Sequence, residues 1–483
     1  MLTRHPRLLA VAVLWALAVA VSTGQGALTT TSFRNHPAIA YDKTSAHDVV
    51  AELSHRIQTG EVKLEYEPVR GYLKSVLKAL NVPVESQMLV FSKTSFQGPR
   101  ISPTNPRAIY FNDRVSIGFV RGGDVLEFLA QDPTQGSTFY TLDNSPTGNF
   151  EFKRNNVACI LCHTSDATEN VPGPFIGSVY PEKDGTTAYG PATTTDHRSP
   201  FETRWGGWYV LGSHHGDRHL GNAVALDRSD LASMVTPESV HLRNLEGRFD
   251  LTGYLTPYSD IVALLVIEHQ AHMTNLITRI GWEARIGAEV GRALPQTAAE
   301  LVDYMLFVDE AALPGLISGP SGFAKLFAAV GPRDSKGRSL RDLDLKARLM
   351  KYPCSYMIYS EQFNALPVAA KDAIYARMWE ILSGQDKSAR YAVLTRADRQ
   401  AIVDILDETK PDLCLSTSGR RRSTRRGITD AARTPNFQLP SVVVISNGVS
   451  TSGGPRPCHY LPTILAESRS FSSQMYSSSS VSG

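Results

Sequence analysis

The chain has 483 residues, 42% of them hydrophobic and 20% charged. This is ordinary globular usage, with length for one large domain or two to three ordinary ones and a core that needs no disulfides. A formal net charge of +2 excludes a general electrostatic attraction to nucleic acid or to an anionic membrane, and the five cysteines, Cys159, Cys162, Cys354, Cys414 and Cys458, are too few and odd in number for a secreted disulfide scaffold.

The first predicted element is a leader. Arg4 and Arg7 precede an apolar run from Leu8 to Val21, and Ala18-Val19-Ala20 has the small-x-small pattern of a cleavage site. This is the layout of a secretory signal peptide over 1–20, cut after Ala20, with Gly26-Ala27 as a competing cut. The alternative is an N-terminal membrane anchor, but the run of 14 residues falls short of the roughly 20 needed to span a bilayer. The longest later apolar run in a helical pattern is Ile261 to Ile267. The mature chain is therefore expected to be periplasmic or extracellular, without a transmembrane segment.

The pattern that follows predicts an α+β fold. Residues 28–150 form an N-terminal α+β region with helices over 45–59 and 67–80, Tyr72, Val76 and Leu80 sharing a face of the second. Four short β-branched or aromatic runs at 107–112, 115–121, 124–130 and 137–142 are separated by turn residues and read as an antiparallel meander. Residues 151–258 are loop-rich, with many Gly, Pro, Thr and Asp, and so long an irregular stretch usually carries function. The region 259–412 is helical, with helices expected at 259–292, 296–311, 321–330, 341–350, 366–383 and 397–408. Composition changes after Pro411. The stretch 413–483 holds the basic run Arg420-Arg-Arg-Ser-Thr-Arg-Arg426 and a Ser-rich end, and reads as a disordered, solvated tail rather than a site for an acidic partner.

The chemistry lies in the loop-rich region. Cys159-Ile160-Leu161-Cys162-His163 fits C-x-x-C-H. Cysteines three positions apart lie on one side of a helical turn, where both sulfurs can form thioethers with the vinyl groups of a haem. The adjacent histidine then offers a ring nitrogen to iron. Two other readings stand beside this one. A zinc ribbon needs a second C-x-x-C, which the chain lacks, so zinc would have to borrow distant histidines. A thioredoxin-like dithiol would open a long helix, whereas Cys162 runs into His-Thr-Ser-Asp and then Val171-Pro-Gly173.

The motif resembles that of c-type cytochromes. Longer stretches are similar to a group of large secreted bacterial proteins with one such motif: Ser102-Pro-Thr-Asn-Pro-Arg-Ala-Ile-Tyr-Phe-Asn-Asp113, Phe152-Lys-Arg-Asn-Asn, Arg204-Trp-Gly-Gly-Trp-Tyr-Val210 and Glu268-His-Gln270. The likeness covers roughly 36–412. It implies one covalent haem c on Cys159 and Cys162, with His163 as proximal ligand. The motif lies far from the N-terminus, so the compact fold of small cytochromes is not expected.

For the distal side the candidates are His269 and Met273, which are i and i+4 on one helix face, and His219. His269 is narrowly preferred. His197, His214 and His215 are further histidines of an aromatic, Gly-rich loop. If both axial positions are filled, the expected role is electron transfer with a redox partner protein. If the distal side is open, a peroxidase-type enzyme is expected, with His215 or His219 and Arg218 in the pocket. A haem-based sensor, or a structural partner of an envelope assembly, is the third possibility. Cys354, just after a proline, is expected to be a core thiol.

Overall fold

Capping and turn chemistry account for the first elements. Asp48 accepts from the Val50 and Ala51 amides and starts α1 (Val49–Gln58), which buries Val49, Val50 and Leu53. The other Asp48 oxygen accepts from Thr138 Oγ1 at 2.6 Å and Tyr140 Oη at 2.7 Å, tying the helix to the sheet. The second helix, α2 (Leu73–Ala79), is shorter than the expected 67–80. Val69 and Gly71 have φ of 72° and 60°, which break any helix before Leu73. The computed structural model describes residues 33–146, 150–290 and 292–413. The expected signal peptide at 1–20, the tail from 414, Cys414 and Cys458 lie outside these residues.

The expected meander is present as β2 (Arg107–Phe111), β3 (Val115–Phe119), β4 (Val125–Asp132) and β5 (Gly136–Asp143). Its turns are made by side chains. Asn112 Oδ1 accepts from the Arg114 and Val115 amides, and Asp132 Oδ1 accepts from those of Thr134 and Gln135. Three short strands extend it: β1 (Met88–Val90), β6 (Lys153–Arg154) and β9 (Trp208–Tyr209). The sheet order is β6-β5-β4-β3-β2-β1-β9, antiparallel throughout. A separate hairpin pairs β7 (Ile176–Ser178) with β8 (Thr193–Thr195). One-turn helices α3 (Ile160–His163) and α4 (Pro237–Val240) punctuate the loop-rich region.

One face of the sheet, with Leu89, Tyr110, Ile117, Leu126 and Phe128, packs on α1 and α2. The opposite face divides its work. Met88, Val90, Phe111 and Trp208 join the main core around α5 (Ile261–Ile286), whereas Leu129 and Phe139, paired across β4 and β5, join a smaller cluster with Ile160, Val171, Trp282 and Ile286. Asp260 caps α5 by accepting from Val262 and Ala263. That helix is buried nearly all round, as expected of one that is apolar on most sides.

The helices α6 (Leu294–Met305), α7 (Phe323–Ala329), α8 (Glu361–Asn364), α9 (Val368–Leu382) and α10 (Arg396–Thr409) complete the described chain. The helix expected at 341–350 is absent. Asp344 Oδ1 accepts from the amides of Lys346 and Ala347, and Leu345 has φ of 58°, so a side-chain turn displaces the helix there. The fold is α+β, and no described helix is long and apolar enough to cross a membrane.

Candidate functional site

The C-x-x-C-H segment folds on the sheet face of the smaller cluster. Asn155 begins it. Its amide donates to the Phe139 carbonyl at 2.8 Å, and its Oδ1 accepts from the Ala158 amide at 3.0 Å. The turn then closes with the His163 amide donating to the Cys159 carbonyl at 3.0 Å. Ile160 is buried among Phe139, Val171 and Trp282 and anchors the turn, while Leu161 is 79% exposed. Thr164 leaves helical geometry with φ of −139°, so α3 does not continue.

Cys159, Cys162 and Cys354 are free thiols. Cys159 is half-buried and Cys162 exposed, so α3 presents one sulfur at the cluster edge and one at the surface. Burial pushes the Cys159 thiol up to about 11, with Glu127 and Cys162 adding to the effect. A redox dithiol needs the opposite, a thiolate stabilised at the start of a longer helix. Cys354 is buried, and its thiol is pushed up to about 12. Among the described residues, no group of three or more His, Cys, Asp or Glu side chains is arranged to hold a metal ion.

His163 is the most constrained member. Its Nδ1 lies 2.8 Å from the Gly173 carbonyl oxygen, to which it can only donate. Phe139 and Phe175 flank the ring, with centroids at 5.0 Å and 5.3 Å. Burial lowers the His163 pKa, opposed by the Gly173 carbonyl, so the neutral imidazole is favoured. With Nδ1–H committed, Nε2 keeps its lone pair. Iron-ligating histidines need this arrangement: a neutral ring oriented by a hydrogen bond from the other nitrogen. The residues present therefore fit a haem held by two thioethers and one imidazole.

Further along the same sheet face stands a polar group. Register places Glu127 one pleat from Leu129 on β4, opposite Thr141 and Gly118. Its carboxylate accepts from Arg107 Nη1 at 2.6 Å, Ser95 Oγ at 2.8 Å and Gln97 Nε2 at 2.7 Å.

The distal candidates lie elsewhere in the core. His269 is fully buried, with Nδ1 2.8 Å from His197 Nδ1 and Nε2 2.7 Å from Ser355 Oγ. His219 is also buried. Its Nδ1 accepts from the Gly221 amide and its Nε2 donates to the Val240 carbonyl at 3.0 Å. His214 bonds the Gly216 amide and the Val240 carbonyl in the same way. Met273 is buried in the main core. Arg218 reaches the Ala232 carbonyl at 3.4 Å, and His215 is exposed. Among the described residues, none of these side chains shares a hydrogen bond or ring contact with His163. Burial holds His269 and His219 at about 3, so both stay neutral in the native state at ordinary pH.

Sequence reasoning missed Phe139, Gly173 and Phe175 as partners of His163. The signal was the rigid Pro172-Gly173-Pro174 run ten residues after the motif, followed by an aromatic. Comparison with known proteins adds nothing to these residues: no protein-family model, curated protein or solved structure matches the chain.

Proposed function

We propose that the chain carries one covalent haem c on Cys159 and Cys162, ligated by His163, and acts as an exported electron carrier that meets a redox partner protein. The observation that carries the reading is the state of His163. The ring is flanked by Phe139 and Phe175, its Nδ1–H given to Gly173, beside two unpaired cysteines on one turn. The haem would supply a one-electron ferric–ferrous couple. The chain's part is to hold the imidazole in one orientation and keep the ring basic through the Gly173 carbonyl. The leader at 1–20 supports export, because thioether attachment takes place outside the cytoplasm.

The test is an absorbance spectrum of exported protein, oxidised and reduced, together with acid-acetone extraction and intact mass. Colour that stays on the protein and a mass gain of one haem are expected. Two thiols open to alkylation in exported protein would overturn the reading.

A second reading has a specific observation in its favour. His269 and His219 have both ring nitrogens engaged, and Met273 is packed into the core. An open distal side, and with it peroxidase-type or sensor chemistry, is then the alternative. A high-spin spectrum and ready binding of carbon monoxide by wild-type protein would select it.

A further inference from the structure

The acceptor for His163 sits in the segment Val171-Pro172-Gly173-Pro174-Phe175, which is pinned from two sides. From the sheet, the Ser137 amide donates to the Pro172 carbonyl at 3.0 Å. From α5, Asn275 Nδ2 donates to the Pro174 carbonyl at 2.8 Å. The Gly173 amide also donates to the His163 carbonyl at 3.0 Å, so the two residues are bonded in both directions.

Asn275 is buried, and its amide oxygen has no hydrogen-bond partner. A buried polar atom without a partner calls for an explanation. The oxygen stands where a Cβ on Gly173 would be, facing the hydrogen that glycine carries there. The Gly173 backbone is not in the left-handed region. Contact with Asn275, rather than backbone strain, is what excludes a side chain at 173. One Asn side chain thus fixes the segment twice, by pulling on Pro174 and by filling the space beside Gly173.

We propose that Asn275 is a positioning residue for the haem ligand: through the Gly173 carbonyl it sets the strength of the His163 Nδ1–H bond, and thereby the reduction potential. The inference rests on the haem reading above. A stronger bond at Nδ1 makes the imidazole a better donor and favours ferric iron, and a looser one favours ferrous iron. Among the described residues Asn275 makes no hydrogen bond to His163, so its effect passes through the backbone it holds.

The experiment uses full-length exported protein, wild type and the variants Asn275→Ala, Asn275→Ser, Gly173→Ala and the double Gly173→Ala/Asn275→Ala. Haem content is read by mass and pyridine haemochrome, and the potential by redox titration. Asn275→Ala is expected to keep its haem and to shift the reduction equilibrium about tenfold toward ferrous, about 59 mV for one electron. Asn275→Ser covers the case in which the Ala variant fails to accumulate. Gly173→Ala alone should lose thermal stability, and the double variant should regain it, because the overlapping group is gone. Haem-loaded Asn275 variants with wild-type potential would overturn the positioning role. Wild-type protein without covalent haem would overturn the haem reading itself, and the positioning role with it.

Discussion

His269 and His197 share a hydrogen bond inside a stack of rings: His197 lies 4.0 Å from the Tyr304 centroid, and His269 4.4 Å from that of Phe307. Removing such a buried, doubly bonded ring leaves the His197 ring without a hydrogen-bond partner and Ser355 Oγ with the Met357 amide alone. We expect His269→Ala to cost about 1–3 kcal/mol in urea unfolding while leaving the haem spectrum at its wild-type form. A change to high spin would instead make His269 the sixth ligand, as its place on the helix face predicts. One position along, Glu268 is fully buried with Arg204 Nη1 at 3.0 Å, and burial pushes its carboxyl up to about 7 despite the arginine. Titration sets these residues against one another. A native His near 3, against 6.5 unfolded, binds fewer protons than the unfolded state, so it removes stability as pH falls from about 6.5 toward 3. A native Glu near 7, against 4.5 unfolded, binds more, so it adds stability as pH falls from about 7 toward 4.5. Glu268→Gln should therefore steepen the loss of stability on acidification between pH 7 and 4.5, as read by urea midpoints at fixed pH steps. An unchanged slope would mean that Glu268 is ionised in the native state.

At the level of elements, α3 is a single turn whose position depends on Ile160. That side chain packs among Phe139, Trp282 and Ile286, so Ile160→Ala should cost about 2–4 kcal/mol and lower the fraction of exported protein that carries haem. Equal haem yield in a destabilised variant would show that the turn is set by its backbone bonds alone. The meander was legible because its short β-branched or aromatic runs are separated by turn residues such as Asn112 and Asp132, signals that are local. The strands β1 and β9 were not, because short segments such as Met88–Val90 become strands only through pairing with distant partners. Within the site, the cysteines and His163 could be read from spacing. Their neighbours could not, since Phe139 arrives from β5 and Asn275 from α5. The missing helix at 341–350 has the opposite origin, a local Asp344 turn that competes with a helical period.

The described chain ends with a buried residue. Leu413 joins the main core, and Lys410 pairs with Asp412. A truncation after Pro411 would remove that contact, whereas one after Ser416, the edge of the first structural unit, keeps it. With few apolar residues beyond 416 to pack, the Ser416 truncation should melt within a degree or so of the full chain in scanning calorimetry. A loss of several degrees would show that the tail packs on the body.

The sheet is sealed by β9, whose Trp208 and Tyr209 pair with Val90 and Leu89 from more than a hundred residues earlier. The intervening chain includes the whole meander and the cysteine turn. Closure of so large a loop must come before any reward from the contacts it brings, and barriers of this kind slow folding toward the millisecond-to-second range. A chain emerging N-terminus first exposes Cys159 and Cys162 before α5 and its Asn275 exist to lock the segment beneath them. Slow closure therefore leaves a time window in which Cys159, half-buried in the native state, is as reachable as the exposed Cys162 by whatever modifies them.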